Sequence, residues 1–362
     1  MLKKLFAKRE VPTVELVSHG LSFEVPRGTT LPEAAQDAGI GFPCDCKVGT
    51  CGTCRYRLIE GKISELNSAA VCLSAEDVRD GWRLGCQSLP GSSLRIHLDG
   101  LVSEIGPPPS LFEARVVSVT PLTHDIVQLR LQLSRPVGFI AGQYADLQVD
   151  GIEGARSYSF AEAATQGSTE QPCFHIRRVP GGAFTGWLFG GDRVGARLTL
   201  RGPLGRFRLR QGAGPIVCVA GGSGLAPIKS LLEQALHERC DRPVHLLYGG
   251  REQRDLYCRT EIETLGARWP SRFEYVPVLS SEAAGSDWTG ARGMVADRMV
   301  AVPGLAQAQI YLCGPPPMVD AAEAIALRAG VAREVVFADR FFDRSKPAPV
   351  APGAATRATP VT

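Results

Sequence analysis

The 362-residue chain contains no run of 18 consecutive apolar residues, so nothing in it reads as a membrane-spanning helix. An excess of one charge is missing too. The 40 Lys and Arg against 37 Asp and Glu leave +3, too little to argue for a nucleic-acid partner. The basic start, Met1 to Arg9, has no apolar core behind it. It reads as a solvated terminus with enough charge to rest on an anionic surface, not as a signal peptide. Without an export signal, the 11 cysteines are expected as thiols in a reducing cytoplasm. No convincing His–Asp or Ser–His set appears, so chemistry built on a general acid–base pair is not indicated.

What is present is ordinary folded composition, 44% hydrophobic and 21% charged, in a length that suits two or three domains. Glycine (40) and proline (26) are high, which points to tight turns and close backbone approaches. Residues 11–99 read as a small α/β unit, with strands at Val14–Val17 and Leu21–Val25 and a capping box, Thr30 to Glu33, opening a helix that stops at Gly39. Residues 100–110, with Pro107-Pro108-Pro109, read as a stiff linker. Residues 111–211 alternate apolar and polar, as in Val127–Leu133, and strands are expected there and at Tyr144–Val149, Phe174–Val179 and Leu204–Arg210. That pattern predicts an antiparallel β-barrel. From 212 to 343, continuous apolar strands (Ile216–Ala220, Val244–Tyr248, Ile310–Cys313) flank a helix over about Pro227–Glu238. A doubly wound parallel sheet follows. The tail, 344–362, is rich in Pro, Ala and Thr and reads as disordered.

Cys46, Cys51 and Cys54 stand as C-x4-C-x2-C, and Cys86 follows in Leu84-Gly85-Cys86. This is the plant-type spacing for a [2Fe–2S] cluster on four thiolates. Small residues and glycines between the cysteines let backbone N–H groups approach the sulfurs. A Rieske centre needs two histidines, and none stands in the cysteine loop or beside Cys86. Zinc on Cys44, Cys46, Cys51 and Cys54 is the alternative reading; with iron–sulfur, Cys44 becomes a spare, small buried thiol.

Arg156-Ser157-Tyr158-Ser159 lies on a barrel strand. An arginine fork suits a pyrophosphate, an aromatic ring a flat heterocycle, and a hydroxyl the edge of a flavin. Gly181-Gly182-Ala183-Phe184-Thr185 reads as a turn into a helix whose N–H groups face phosphate. Gly202 to Phe207 turns sharply to close the barrel. A bound flavin is expected here.

Gly221-Gly222-Ser223-Gly224-Leu225-Ala226-Pro227 joins a buried strand to a helix, with glycines where a dinucleotide phosphate would approach. It lacks the third glycine of G-x-G-x-x-G and the Lys-Ser/Thr of a P-loop. The second strand ends at Tyr248-Gly249-Gly250-Arg251, without the acid that commonly grips an NAD ribose. Arg251 and Arg254 therefore leave NADPH open beside NADH. Cys313-Gly314-Pro315 follows a later strand, where Cys313 sits either beside the nicotinamide or as a buried structural thiol.

Taken in order, DCKVGTCGTC (45–54), RLGCQ (83–87), HDIV (124–127), GQYAD (142–146), RSYSF (156–160), GGSGLAPIK (221–229), CGPPPMVDAAE (313–323) and FADRF (337–341) resemble one family. The chain is similar to iron–sulfur flavoprotein reductases of the ferredoxin–NADP reductase superfamily, with a plant-type ferredoxin fused at the N-terminus. The resemblance implies a β-grasp ferredoxin, an FAD barrel and an NAD domain. Electrons then pass from NADH through FAD and a cluster of potential near roughly −400 mV to a terminal oxygenase. It implies flavin contacts at Arg156, Tyr158 and Ser159, pyrophosphate contacts at Gly182, Phe184 and Thr185, and a nicotinamide site at Gly222, Gly224, Cys313, Gly314 and Pro315. Phe341 is the candidate cover for the flavin. Ser223 stands where threonine is usual and keeps the hydroxyl. The implied partner is a membrane-bound di-iron hydroxylase of alkyl-aromatic side chains, at which this chain would dock without a membrane segment of its own. A soluble di-iron monooxygenase or a Rieske dioxygenase is the runner-up. The non-enzyme alternative is a zinc-stabilised protein that binds nucleotide as a regulator.

Overall fold

Strands β1 (Thr13–Leu16) and β2 (Leu21–Glu24) form a hairpin in which Val14, Leu16 and Phe23 point inward. Helix α1 (Leu31–Asp37) starts at the expected capping box, with the Thr30 N–H donating to Glu33 Oε2 at 3.0 Å. The chain is seen here as a computed structural model that describes residues 11–44, 49, 52–66, 72–102, 108–164 and 167–341. Met1 to Arg9, Cys46, Cys51, residues 103–107 of the expected linker and the tail 344–362 lie outside the described residues.

Two units divide the chain, one through Pro108 and one from Pro109. The first continues with β3 (Arg55–Glu60), β4 (Ile63–Glu65), the short helix α2 (Ala75–Arg79), β5 (Trp82–Leu84), β6 (Ser88–Pro90) and β7 (Leu94–His97). Its main sheet runs β2-β1-β7-β3-β5, and β1 and β7 are parallel. That mixed sheet, with α1 across it and Leu31, Ala34 and Ala35 buried, is the β-grasp arrangement.

The second unit opens with β8 (Ser110–Pro121), β9 (Ile126–Leu133), β10 (Val137–Gly138), β11 (Tyr144–Gln148), β12 (Arg156–Ser159), β13 (Ser168–Thr169), β14 (Cys173–Arg177), helix α3 (Ala183–Phe189) and β15 (Arg197–Leu204). Six of these strands form the antiparallel sheet β12-β11-β15-β8-β9-β14. A bridge from Phe160 to Phe174 joins its two edges, so the alternation read from the sequence closes into a barrel. Phe139 stacks on Phe160 at 3.8 Å within a core that also holds Leu129, Leu147, Phe174 and Leu200.

One expected strand is corrected. Leu204–Arg210 is not a strand: β15 ends at Leu204, and Gly205 follows in the left-handed region at φ +84°. The alternating residues beyond it leave the barrel for the next layer. There the Arg210 N–H donates to the Tyr311 hydroxyl at 2.8 Å, and Gln309 Nε2 donates to the Gln211 carbonyl at 2.8 Å.

That layer contains β16 (Ile216–Gly221), α4 (Leu225–His237), β17 (Val244–Gly250), α5 (Arg259–Arg268), β18 (Phe273–Leu279), β19 (Ala291–Arg292), β20 (Gln309–Gly314), α6 (Pro316–Arg328) and β21 (Val336–Arg340). All six strands are parallel, in the order β19-β18-β17-β16-β20-β21. The chain goes from β16 to β17 on one side and reaches β20 on the other. The crevice at the carboxyl ends of β16 and β20 is therefore the place where such sheets bind ligands.

Candidate cofactor sites

In the first unit, the Sγ atoms of Cys44, Cys54 and Cys86 all lie within 4.8 Å of one another, and all three residues are buried. Cys54 precedes β3, while Cys86 sits on a short helical turn, Gly85–Gln87, after β5. The Gly85 N–H donates to the Cys54 carbonyl at 2.9 Å, which ties the two segments together. Donors already point at the sulfurs: Cys86 N to Cys54 Sγ at 3.5 Å and Gln87 Nε2 to Cys86 Sγ at 3.4 Å. Thiolates with N–H donors are what a cluster requires, so these residues fit the group. Gly52, at φ +74°, turns the chain into this pocket in a conformation that a side chain would strain. The Gln87 donor was missed in the sequence. Only its place beside Cys86 hinted at it.

On the barrel, strand alternation splits RSYS. Arg156 and Tyr158 share one face, and Ser157 points the other way, donating to Asp146 Oδ1 at 2.6 Å. Ser159 is buried at the strand's end opposite Tyr144. Arg156 Nη1 donates to the Gly154 carbonyl at 2.9 Å, so one terminal nitrogen of the guanidinium is held by the preceding turn. The Tyr158 ring lies 5.2 Å from that of Phe184, so two motifs far apart in sequence form one surface. Phe184 itself is buried in the barrel core. Thr185 Oγ1 donates to the Val179 carbonyl at 3.1 Å and accepts from the Val179 N–H, holding the Gly181-Gly182 turn closed. Burial raises the Tyr158 phenol well above its ordinary pKa, so its hydroxyl stays protonated into the alkaline range.

At the sheet crevice the two glycine strings interlock. A Cβ on Gly224 would lie 2.3 Å from the Cys313 carbonyl oxygen, and one on Gly314 would lie 3.0 Å from the Gly221 carbonyl oxygen. Gly222 follows β16, and its carbonyl accepts from the Tyr248 hydroxyl at 3.4 Å. Ser223 lies within the same short turn, Gly222–Gly224. Pro315 caps α6, and the Phe341 N–H donates to the Gly314 carbonyl at 2.9 Å, so the chain's last described residue meets this loop. Cys313 is fully buried, and burial pushes its thiol up.

Arg177 was not singled out in the sequence. From β14 its Nη1 would lie 3.3 Å from a Cβ on Gly222, and its Nε pairs with Asp125 at 2.8 Å, so barrel and sheet meet at the glycine turn after β16. Lys229 pairs with Glu233, whose other oxygen accepts the Ala163 N–H at 2.9 Å, a second tie between them.

His175 is buried in this seam against Tyr257. Desolvation first, then the Lys229 and Arg130 charges, lower its pKa to about 3. The folded chain thus keeps His175 neutral, while the unfolded chain protonates it below about 6.5. Its contribution is complete above pH 6.5 and declines as pH falls toward 3, by up to about 1.4 kcal/mol per pH unit. Between pH 6.5 and 5 the wild type should lose about 2 kcal/mol more than His175→Gln. Urea midpoints at the two pH values check this, and equal losses would sink it.

Three family profiles match. They are the 2Fe-2S iron-sulfur cluster binding domain over residues 14–91, the oxidoreductase FAD-binding domain over 113–209 and the oxidoreductase NAD-binding domain over 218–324. The chain is 48% identical over 341 residues to the xylene/toluene monooxygenase electron transfer component XylA of Pseudomonas putida, covering 94% of this chain and 96% of that protein. The chain belongs to the ferredoxin-fused FAD/NAD reductases. The reductase is also 36% identical to the ferredoxin–NAD(P)+ reductase component of the naphthalene 1,2-dioxygenase system of Pseudomonas putida, over 87% of this chain and 94% of that one. Among solved structures it matches the Amycolatopsis cytochrome P450 reductase GcoB with TM-score 0.80 and 33% identity, covering 91% and 98% of the two chains. The reductase is therefore an enzyme that moves electrons from NAD(P)H through FAD to a [2Fe–2S] cluster. The zinc-stabilised, non-enzymatic reading falls with the iron–sulfur and FAD matches. No helix among the described residues is long and apolar enough to cross a membrane.

Proposed function

We propose that this reductase supplies electrons from NADH to a membrane-bound di-iron hydroxylase of alkyl-aromatic side chains, working in the cytoplasm and docking at that partner. The observation that carries this reading is the 48% identity, over nearly the whole of both chains, to a xylene/toluene monooxygenase electron transfer component. When bound, FAD accepts electrons in pairs and the cluster takes them singly, which suits a one-electron acceptor protein. Every other task falls to the protein, which must bind, orient and insulate.

Cys46, Cys51, Cys54 and Cys86 hold the cluster in the domain 11–99. In the domain 111–211, Arg156, Tyr158 and Ser159 hold the flavin, with Ser157 bracing the strand, and Gly181, Gly182, Phe184 and Thr185 shape the pyrophosphate turn. In the domain 212–343, Gly222, Ser223, Gly224, Gly314 and Pro315 line the nicotinamide pocket. Ser159 and Cys313 would be the catalytic residues when flavin and nicotinamide are bound, and Phe341 would cover the flavin. This assignment is supported by the pairing of Tyr158 with Phe184 and by the interlocked glycine loops.

NADH is favoured over NADPH on charge. The end of β17 is where a ribose is gripped in such folds. There Arg251 Nε lies 3.6 Å from Asp255 and Arg254 Nε 2.8 Å from Glu252, so both cations that a 2′-phosphate would need face carboxylates. We expect kcat/KM for NADH to exceed that for NADPH by at least about tenfold, about 1.4 kcal/mol. Steady-state reduction of an artificial acceptor measures it, and parity would defeat the argument.

The partner is tested by reconstitution. The anaerobic protein mixed with NADH should bleach first at the flavin and then at the cluster. Its reduced form should support turnover of a membrane di-iron alkyl-aromatic hydroxylase better than that of a soluble di-iron monooxygenase or Rieske dioxygenase. Turnover only with one of the latter two would move the assignment to the 34–36% identical phenol and naphthalene systems.

A further inference from the structure

Cys44 is not part of the four-cysteine spacing, yet its Sγ lies within 4.8 Å of both Cys54 Sγ and Cys86 Sγ. The segment that precedes it is anchored by described residues. Phe42, two residues earlier, is buried edge-on against Tyr56, and the Val102 N–H donates to the Gly41 carbonyl at 2.8 Å. Gly85, which precedes Cys86, has no side chain, and a Cβ there would press on the Phe42 ring at 2.9 Å. The segment carrying Cys44 is thus clamped to the turn carrying Cys86, with the Cys44 side chain 6% exposed.

Thiolates sharing one tetrahedral metal at bonds near 2.3 Å sit about 3.8 Å apart. The three sulfurs are close enough to reach one ion with small side-chain rotations, whereas an iron in the cluster takes only two cysteines beside its two sulfides. We propose that Cys44 is a reserve ligand of the [2Fe–2S] cluster, placed to replace Cys54 or Cys86 at the iron they share. In that replacement one Fe–S bond to Cys44 forms where the bond to the missing cysteine would be. The Cys44 thiol proton leaves to solvent, and no oxidation state changes. The count of four thiolates, and hence the cluster's charge, is preserved. The inference rests on the cluster assignment to Cys46, Cys51, Cys54 and Cys86.

The test compares the full chain as wild type, Cys44→Ala, Cys86→Ala, Cys54→Ala and the double variants Cys44→Ala/Cys86→Ala and Cys44→Ala/Cys54→Ala. Each is reconstituted anaerobically with ferrous iron and sulfide. Iron and acid-labile sulfide per FAD are measured, with electron paramagnetic resonance after dithionite reduction. Cys44→Ala should match the wild type. The single Cys86 and Cys54 variants should keep a [2Fe–2S] signal with altered g values, and the doubles should hold at least about tenfold less iron. Loss of the cluster from both single variants, folded or not, overturns the proposal. So does a double variant that holds as much cluster as its single parent. A wild type with no cluster would instead overturn the underlying assignment, which separates the two failures.

Discussion

Gly224→Ala is expected to slow NADH-driven flavin reduction about a hundredfold while FAD content stays near wild type. A Cβ at this position meets main chain, not a side chain that can rotate away. It would lie 2.3 Å from the Cys313 carbonyl oxygen, 2.6 Å from the Cys313 carbonyl carbon and 2.8 Å from Gly314 Cα. Relief requires the turn after β16 and the end of β20 to separate. Overpacking of that kind costs about 1–3 kcal/mol, and the displaced atoms belong to the two loops between which nicotinamide is expected to bind. The barrel does not supply those atoms, so FAD should be retained. Stopped-flow bleaching under anaerobic conditions measures the rate. Gly285→Ala, where a Cβ meets nothing within 4 Å, should leave it unchanged. A Gly224→Ala protein reduced at the wild-type rate would remove this loop from the nicotinamide site.

The second large effect belongs to the flavin. Tyr158→Ala should weaken FAD binding about tenfold to a hundredfold, the scale of about 1–3 kcal/mol for an aromatic ring on a flat heterocycle. The ring is held at 5.2 Å from Phe184, so it is oriented before the cofactor arrives, and little ordering entropy opposes stacking. Tyr158→Phe keeps the ring and loses the hydroxyl, a donor that burial keeps protonated. If stacking dominates, Tyr158→Phe should lie much nearer the wild type than Tyr158→Ala. Titration of apoprotein with FAD, followed by flavin fluorescence, gives both constants. Equal weakening by the two variants would show that the hydroxyl, not the ring, carries the contact.

These two residues also show how far reading the chain alone can go. Gly224 was read as a phosphate-loop glycine because strand, glycines and helix are neighbours in sequence. Its collision partner, Cys313, lies 89 positions on, and the pairing of β16 with β20 brings them together. Tyr158 was read as a stacking residue by type, but its support from Phe184 depends on how the barrel packs. Leu204–Arg210 was misread for the same reason. Alternation is a local signal, and the same alternating residues serve as a strand or as a strap according to what they meet.

The absences at the outset, of long apolar runs, of excess charge and of acid–base sets, narrowed the class of molecule by exclusion. The spacing of Cys46, Cys51, Cys54 and Cys86, the domain order and the glycine loops then pointed to that class, because each is a pattern of residue types along the chain that can be read without knowing which side chains pack together. Tertiary structure alone decided that Cys44 stands beside Cys54 and Cys86, that Arg177 reaches the Gly222 turn, that His175 is sealed in the seam and that Ser157 faces away. Those outcomes depend on strand pairing and packing between residues far apart in the chain, where neither spacing nor residue type specifies which side chains will meet.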